Sequence, residues 1–156
     1  MEVLLRNGAS IKAKDEDNWT PLHLAASSGY TGVVEVLPRN GASIEAESNS
    51  IYTALHVAAL KGHTEVVEVL LRHGASTEVK NKFSYTPLHD AADRGHTGVV
   101  EVLLRNGASI EVKDKNNQTP LHRAASTGHT GKQQQHVKDE RLVYLDNQGL
   151  PRVAKN

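Results

Sequence analysis

The sequence of 156 residues contains no cysteine, which excludes disulfide bonds and thiolate chemistry. It also has no surplus of charge, because eighteen basic residues balance eighteen acidic ones. This balance argues against a partner recognised through bulk charge, such as nucleic acid or an anionic membrane surface. No apolar run approaches the roughly 18 residues that a membrane span needs, and the first residues lack the pattern of a secretory signal. We therefore expect a cytoplasmic protein, with the nucleus as the alternative.

What the sequence does contain is a segment that returns every 33 residues. The motif TPLH stands at 20–23, 86–89 and 119–122, and its variant TALH stands at 53–56. A second motif, NGAS or HGAS, returns at the same spacing. A fixed period of this length is typical of stacked supersecondary units.

The residues of one unit predict two short helices and a finger-like loop. Thr20 is a good N-cap, Pro21 suits the first turn of a helix, and Gly29 ends that helix. We expect Thr31 to cap a second helix, which the glycine of NGA at 40–42 ends. The polar, turn-rich residues that follow predict a hairpin-like finger. Because two such helices cannot form a core alone, the units must stack.

The residues TPLHxAA, Gly-His, VVxxLL and Gly-Ala at this period resemble the ankyrin-repeat family. The resemblance covers residues 1–131, with a partial first repeat and an incomplete last one, and leaves 132–156 as a tail. It implies an all-α solenoid of stacked antiparallel helix pairs with β-hairpin-like finger loops. It also implies a concave surface of fingers and first helices that binds another protein, without catalysis.

Five residues depart from the family pattern: Asn18, Ile51, Ser84 and Asn117 in the finger turns, and Pro38 in a second helix. The finger turn usually has a glycine where this chain has Ile51, and a β-branched residue disfavours positive φ. We therefore expect the turn at Ile51 to be remodelled. Pro38 stands where other units have leucine, and a proline there removes a helical hydrogen bond and crowds the carbonyl of Val34. We expect the second helix of this unit to end early, near Leu37.

The tail at 132–156 has three interpretations. Its first part, through about Tyr144, is compatible with a polar helix that caps the last unit. The segment LVYLDNQGLPRV is compatible with a hairpin around DNQG. A disordered tail is the third interpretation. Gly149 and Pro151 disfavour any long helix.

Nine histidines raise the question of a metal site. One set lies in the TPLH motif and comprises His23, His56, His89 and His122. A second set follows the glycine after the first helix and comprises His63, His96 and His129. In the ankyrin family the first kind forms a hydrogen bond near the helix start, and the second kind ties loops between units. His73 and His136 have no assigned role.

Repeat spacing argues against a zinc site built from these histidines. Equivalent residues one unit apart lie about 10 Å from each other if the helices pack at the usual distance. Zinc needs all of its ligands within about 2 Å of the metal. We therefore expect structural histidines, with no metal and no cofactor.

No nucleophile motif, phosphate-binding loop or metal-ligand spacing accompanies the repeat. Asp90 and Asp93 are three residues apart on a predicted helix and therefore face a similar direction. Paired carboxylates are one form of catalytic site, but a solvated or salt-bridged pair is the favoured interpretation here. Asp90 and Arg123, in adjacent units, are candidates for an ion pair. We expect that the chain is not an enzyme.

The candidate partner-binding residues lie in the fingers and at the ends of the first helices. Trp19, Tyr52 and Tyr85 occupy the same position in consecutive units, directly before the threonine cap. In the ankyrin family this column lies on the concave face, and large aromatic side chains are the usual anchors of protein interfaces. Flanking positions complete the predicted surface: Asp17, Leu60, Lys61, Phe83, Asp93 and Arg94. The alternative is that each ring packs on the next finger and stiffens the array.

Two functions follow from these features. The first is a binding module whose preformed face avoids the entropic loss of ordering when a partner arrives. The second is a structural segment of a longer array that self-associates end to end. Uncapped terminal units favour the second function, because a polar outer face normally prevents such contacts.

Overall fold

The computed structural model describes residues 1–129 and the strand segments 143–145 and 151–153. The elements in chain order are α1 (Glu2–Arg6), α2 (Pro21–Ser28), α3 (Thr31–Arg39), α4 (Ala54–Lys61), α5 (Thr64–Arg72), α6 (Pro87–Arg94), α7 (Thr97–Arg105), α8 (Pro120–Thr127), β1 (Val143–Leu145) and β2 (Pro151–Val153). Within this described part, no helix has both the length and the apolar character that crossing a membrane requires.

The helices of the repeats stack in two layers. The first helices α2, α4, α6 and α8 pack on one another in chain order, and the second helices α3, α5 and α7 form the other layer. The core lies between the layers and repeats with the sequence, so that Leu22, Leu55 and Leu88 are only 1–2% exposed. The predicted all-α repeat solenoid of helix pairs is confirmed.

Each first helix begins and ends as its residues predict. Thr20 is the N-cap of α2, Pro21 is its first residue, and Gly29 ends it in the left-handed conformation at φ 72°. The second helices begin differently, because the N-cap of α3 is Tyr30 and, in the part of the chain that the structure describes, no side chain forms a capping hydrogen bond there. The backbone N–H groups of Val33 and Val34 donate to the Tyr30 carbonyl. The prediction that Thr31 caps this helix was therefore wrong.

The finger turn at Ile51 is not remodelled. Its φ of 60° matches the 60–63° of the equivalent residues in the other three fingers. The Ser48 N–H donates to the Tyr52 carbonyl at 3.1 Å, and the Ile51 N–H donates to the Ser48 carbonyl at 2.9 Å. Contacts of this finger with its neighbours hold the turn, so the isoleucine accepts a backbone strain of about 1–2 kcal/mol. The expectation of a different turn was wrong.

Helix α3 continues through Pro38 to Arg39 and does not end near Leu37. Pro38 lies in the last turn, where it removes the single hydrogen bond that its own N–H would donate. The chain beyond it still closes the helix, because the Ala42 N–H donates to the Leu37 carbonyl at 3.1 Å. The prediction of an early helix end was wrong, although the lost hydrogen bond remains.

Replacing Pro38 by leucine is expected to raise the free energy of unfolding by about 1–2 kcal/mol. This is less than the roughly 3 kcal/mol for a proline in a helix centre, because Pro38 lies in the last turn. Urea unfolding followed by circular dichroism measures the change. The matched control is Leu71→Pro, which places the same ring at the equivalent position of α5 and should destabilise. A Pro38→Leu protein that is no more stable than the wild type would contradict the prediction.

The two short strands lie outside the repeat array. β1 and β2 pair antiparallel, with the Cα atoms of Val143 and Val153 opposite each other. This pairing agrees with the hairpin interpretation of LVYLDNQGLPRV. The boundary predicted at 131 and 132 and the predicted capping helix or disordered start of the tail lie outside the described residues.

Candidate partner-binding face

Backbone hydrogen bonds join the fingers into one continuous edge. Three equivalent bonds of 3.1–3.3 Å run from each finger to the one before it: Asn49 N–H to Asp17 O, Lys82 N–H to Ser50 O, and Lys115 N–H to Phe83 O. Inside the first finger, Oδ1 of Asp15 accepts from the N–H groups of Asp17 and Trp19 at 3.0 and 2.8 Å. The edge is therefore fixed both within and between fingers.

The motif histidines connect the fingers to the helices. Nδ1 of His23 accepts from the Thr20 N–H at 3.1 Å, and Nε2 donates to the Tyr52 carbonyl of the next unit at 2.8 Å. His56 and His89 repeat this arrangement with the carbonyls of Tyr85 and Gln118, at 3.0 and 3.1 Å. Because Nδ1 accepts, each ring is the neutral Nε2–H tautomer. The bond near the helix start was predicted, whereas the bond to the next unit was not.

Burial favours the neutral form of these histidines. It lowers the pKa of His56 to about 4 and outweighs the hydrogen bond to the Tyr85 carbonyl, which acts in the opposite direction. Burial also lowers the pKa of His23 and of His89. All three rings therefore act as uncharged links between units at neutral pH.

The second set of histidines ties the loops between units, as the family resemblance implied. Nε2 of His63 donates to the Ser27 carbonyl at 3.0 Å, and Nε2 of His96 donates to the Leu60 carbonyl at 3.1 Å. The His96 ring lies so close to Gly62, which has φ 78°, that a Cβ there would lie 2.6 Å from it. In the described ranges, no group of three or more histidine, aspartate and glutamate side chains is placed to hold a metal ion.

The two remaining histidines have different outcomes. Nε2 of His73 lies 3.5 Å from a carboxylate oxygen of Glu35 in the preceding unit, so this side chain has a partner and is only partly exposed. His136 lies outside the described residues.

The three predicted aromatic anchors differ in exposure. Trp19 and Tyr85 are half-buried, whereas Tyr52 is only 7% exposed. Each ring lies 5.5–5.7 Å from the imidazole of its own unit. Burial, and then the neighbouring Asp90, raise the pKa of the Tyr52 phenol. Tyr52 thus has the environment of a packing residue, whereas the other two rings keep a surface that a partner can reach.

A cluster of rings and charges surrounds Tyr85. Its ring stacks on His89 at an interplanar angle of 13°, and the Phe83 ring lies 5.9 Å away, centroid to centroid. The guanidinium carbon of Arg123 lies 4.9 Å from the Tyr85 centroid, within cation–π range. Arg123 comes from the next unit, so this cluster joins two repeats.

Arg123 pairs with Asp93 and not with Asp90. Its Nη2 donates to Oδ1 of Asp93 at 2.6 Å, and both side chains are about one-fifth exposed. The predicted pair with Asp90 was wrong because Asp90 is buried at 3% exposure, where bringing in a second charge requires further desolvation. The interpretation of Asp90 and Asp93 as a solvated or salt-bridged pair is confirmed for Asp93 and wrong for Asp90, which is buried without an ion pair among the described residues.

Asp90 is a buried carboxyl with an incomplete set of partners. Its Oδ2 atom has no hydrogen bond within the described part of the chain. Burial, and then the nearby Asp93, raise the pKa of Asp90 well above its ordinary value, while Arg94 and Arg123 act in the opposite direction. This carboxyl is therefore a source of instability at neutral pH.

The other predicted residues surround the rings at different exposures. Asp17 and Arg94 are exposed, and Leu60, Lys61 and Phe83 are half-buried. Sequence reasoning missed Arg123 as a member of this site. The signal for it was present, because Arg123 directly follows TPLH at a position that varies from unit to unit.

Comparison with known families agrees with this geometry. A family model described as ankyrin repeats (3 copies) matches residues 1–81. A second, described as ankyrin repeats (many copies), matches residues 70–124. Among curated proteins, none matches the chain. The first match alone covers more than half of the sequence.

Proposed function

Because this chain belongs to the ankyrin-repeat family, we propose that it binds another protein through the face formed by its fingers and first helices. Ankyrin repeats generally are protein–protein interaction modules. On this proposal the chain acts in the cytoplasm or the nucleus by holding its partner, without catalysis. The equal numbers of acidic and basic residues favour a protein partner over nucleic acid.

The main support for the proposal is that two aromatic side chains are held in fixed positions while part of each ring stays exposed. Trp19 and Tyr85 lie two units apart, and each packs on a buried histidine. Rings held in this way lose little conformational freedom when a partner binds, which favours affinity. Rigid aromatic side chains are also frequent hot spots of protein interfaces.

The charged groups near the rings supply specificity rather than affinity. Asp17 belongs to the first finger, whereas Lys61 and Arg94 end the first helices of the next two units. Because these charges are at least partly solvated, each pair with a partner is worth at most about 1 kcal/mol. A partner with a complementary order of charges is favoured over one with the reverse order.

The double variant Trp19→Ala, Tyr85→Ala is expected to reduce the capture of the partner at least about tenfold, because losing two anchors removes more than 1.4 kcal/mol. The measurement is affinity capture from an extract of the source cells on immobilised protein, with mass spectrometry of the retained proteins. Tyr52 stays unchanged in this experiment because it is buried.

The matched control is Tyr30→Ala. Tyr30 is 62% exposed and lies between α2 and α3, away from the fingers, so its removal should leave the capture of a finger-face partner unchanged. Circular dichroism confirms that each variant is folded. If the folded double variant retains the same proteins in the same amounts as the wild type, the finger face is not the binding site.

A further inference from the structure

Residues 2–10 and residues 101–109 have the same sequence, EVLLRNGAS, but opposite burial. In the later copy Val102 and Leu103 are 2% and 0% exposed and belong to the core. In the earlier copy Val3 and Leu4 are 69% and 64% exposed. The same segment is therefore a core helix in one place and a bare apolar helix, α1, in the other.

The opposite end of the described array has a matching exposed surface. Leu121 of α8 is 76% exposed, whereas the equivalent leucines of the other first helices are 1–2% exposed. An open groove of about 370 Å³ lies beside it. Its walls are mainly apolar and include Val100, Leu104, Ile110, Leu121 and Ala124.

This groove lies where the array places a second helix. α5 packs on its own first helix α4 and on the preceding second helix α3, and α7 packs on α6 and α5 in the same way. The groove has α7 on one side and α8 on the other. The groove is therefore the position that the next second helix of the array would fill. The preceding positions are filled by α5 and α7, which contain the same EVLLR sequence as α1.

We propose that α1 of a second copy of this chain occupies the groove, so that copies join head to tail with the repeat register continued. In this register, each residue of the second copy lies four repeats beyond the same residue of the first copy, as if the array of the first copy continued. The contact continues the interface that already joins consecutive units within the chain. It is separate from the proposed finger-face function and leaves that face open.

Hydrogen bonding supports this register. Glu45 and Glu78 each accept from a backbone N–H of the next unit, that of Ser76 at 2.7 Å and that of Ser109 at 2.9 Å. Glu111 is the next acceptor of the series and lines the groove. In the continued register the backbone N–H of Ser10 of the second copy donates to the Glu111 carboxylate.

Two further groups at this end match the second copy. His122 is exposed, whereas the other three motif histidines donate to a carbonyl 29 residues further on. In the continued register that carbonyl belongs to Trp19 of the second copy. Among the described residues, nothing lies within 4 Å of a Cβ built on Gly128, although a histidine ring covers each equivalent glycine. In the continued register, the ring of the exposed Tyr30 of the second copy covers Gly128 as the histidines cover the other glycines.

Such a contact joins two different surfaces and does not close on itself, so it produces open chains that lengthen with concentration. Sedimentation velocity of the wild-type chain of 156 residues from 1 to 200 µM is expected to show oligomers that grow with concentration. Leu4→Glu on α1 and Leu121→Glu in the groove should each weaken association by about 100-fold. Tyr85→Ala, in the middle of the array, is the control and should associate as the wild type does.

Mixing the two variants gives the sharpest test. Leu4→Glu keeps an intact groove and Leu121→Glu keeps an intact α1, so an equimolar mixture should form heterodimers and nothing larger. Leu4→Glu should also capture the finger-face partner as the wild type does, which separates this inference from the finger-face function. Because both leucines are exposed in the single chain, their substitution should leave the circular dichroism melting curve intact. If Leu121→Glu fails to fold, Glu111→Lys serves as the groove variant.

Three results would overturn the inference. The first is a wild type that stays monomeric across the whole concentration range. The second is association that both folded variants retain in full. The third is a mixture of the two variants that contains only monomers or assembles beyond the dimer.

Discussion

Lowering the pH from 7 to 4 is expected to reduce the free energy of unfolding by about 3 kcal/mol through His56 alone. Burial lowers the pKa of this ring from 6.5 to about 4, and each pKa unit corresponds to about 1.4 kcal/mol. The loss is large compared with the roughly 5–15 kcal/mol that stabilises a typical domain. Acid should therefore unfold this array well before its carboxylates are fully protonated.

The sign follows from which state binds the proton first. The folded pKa of His56 lies below the unfolded value, so the unfolded chain takes up a proton at a higher pH than the folded chain does. Stability is complete above pH 6.5 and declines as the pH falls from 6.5 to about 4. Burial also lowers the pKa of His23, His89 and His96, and these rings act in the same direction.

Asp90 has the opposite effect on the free energy of unfolding over part of this pH range. Its folded pKa lies well above the ordinary value of 3.8, so its unfavourable burial is largest at neutral pH and declines as the pH falls toward 3.8. The variant Asp90→Asn removes this compensation. It should be more stable than the wild type at pH 7 and should lose more stability on acidification.

Urea unfolding at pH 7, 6, 5 and 4, at constant ionic strength, measures this loss, with Asp90→Asn as the matched variant. NMR titration of the His56 ring gives the folded pKa independently. A free energy of unfolding that is flat over this range would contradict the prediction. So would a His56 ring that titrates near pH 6.5 in the folded protein.

The helix pairs were predictable because their determinants act within a few residues of the chain. Thr20 and Pro21 begin α2, and Gly29 ends it, through the backbone and capping preferences of these residues themselves. The same local signals recur at the 33-residue period, so the order of the elements followed from the period. Local preference failed at Ile51, where backbone hydrogen bonds join its finger to both neighbouring fingers. It also failed at Pro38, which lies in the last turn of α3, where a proline removes only one helical hydrogen bond.

The candidate site was only partly predictable, because exposure depends on the neighbouring units. Trp19, Tyr52 and Tyr85 share one register position, yet only Tyr52 is fully buried. It lies near enough to Asp90 and Arg94 of the following unit for their charges to influence the pKa of its phenol. The repeating sequence pattern identifies which aromatic residues share a position, but it does not predict how deeply each ring is buried.

Replacing Tyr52 by alanine is expected to lower the free energy of unfolding by at least about 3 kcal/mol, as truncation of a buried aromatic side chain usually does. The backbone carbonyl that accepts from His23 is unchanged by this substitution, so the lost stability reports the packing of the ring. Trp19→Ala should destabilise by roughly half as much or less, because its ring is half-buried and loses less contact.

Urea unfolding of the two variants beside Tyr85→Ala and Tyr52→Phe separates packing from binding. Tyr52→Phe keeps the ring and should stay close to the wild type, which assigns the loss in Tyr52→Ala to packing rather than to the hydroxyl. Tyr85→Ala matches it in chemistry but has a half-buried ring, so it should be milder. A Tyr52→Ala protein that is as stable as Trp19→Ala but no longer captures the partner would make Tyr52 an anchor after all. We expect instead that Tyr52→Ala loses more unfolding free energy than Trp19→Ala or Tyr85→Ala. That result would assign Tyr52 to the packing between units and would leave Trp19 and Tyr85 to contact a partner.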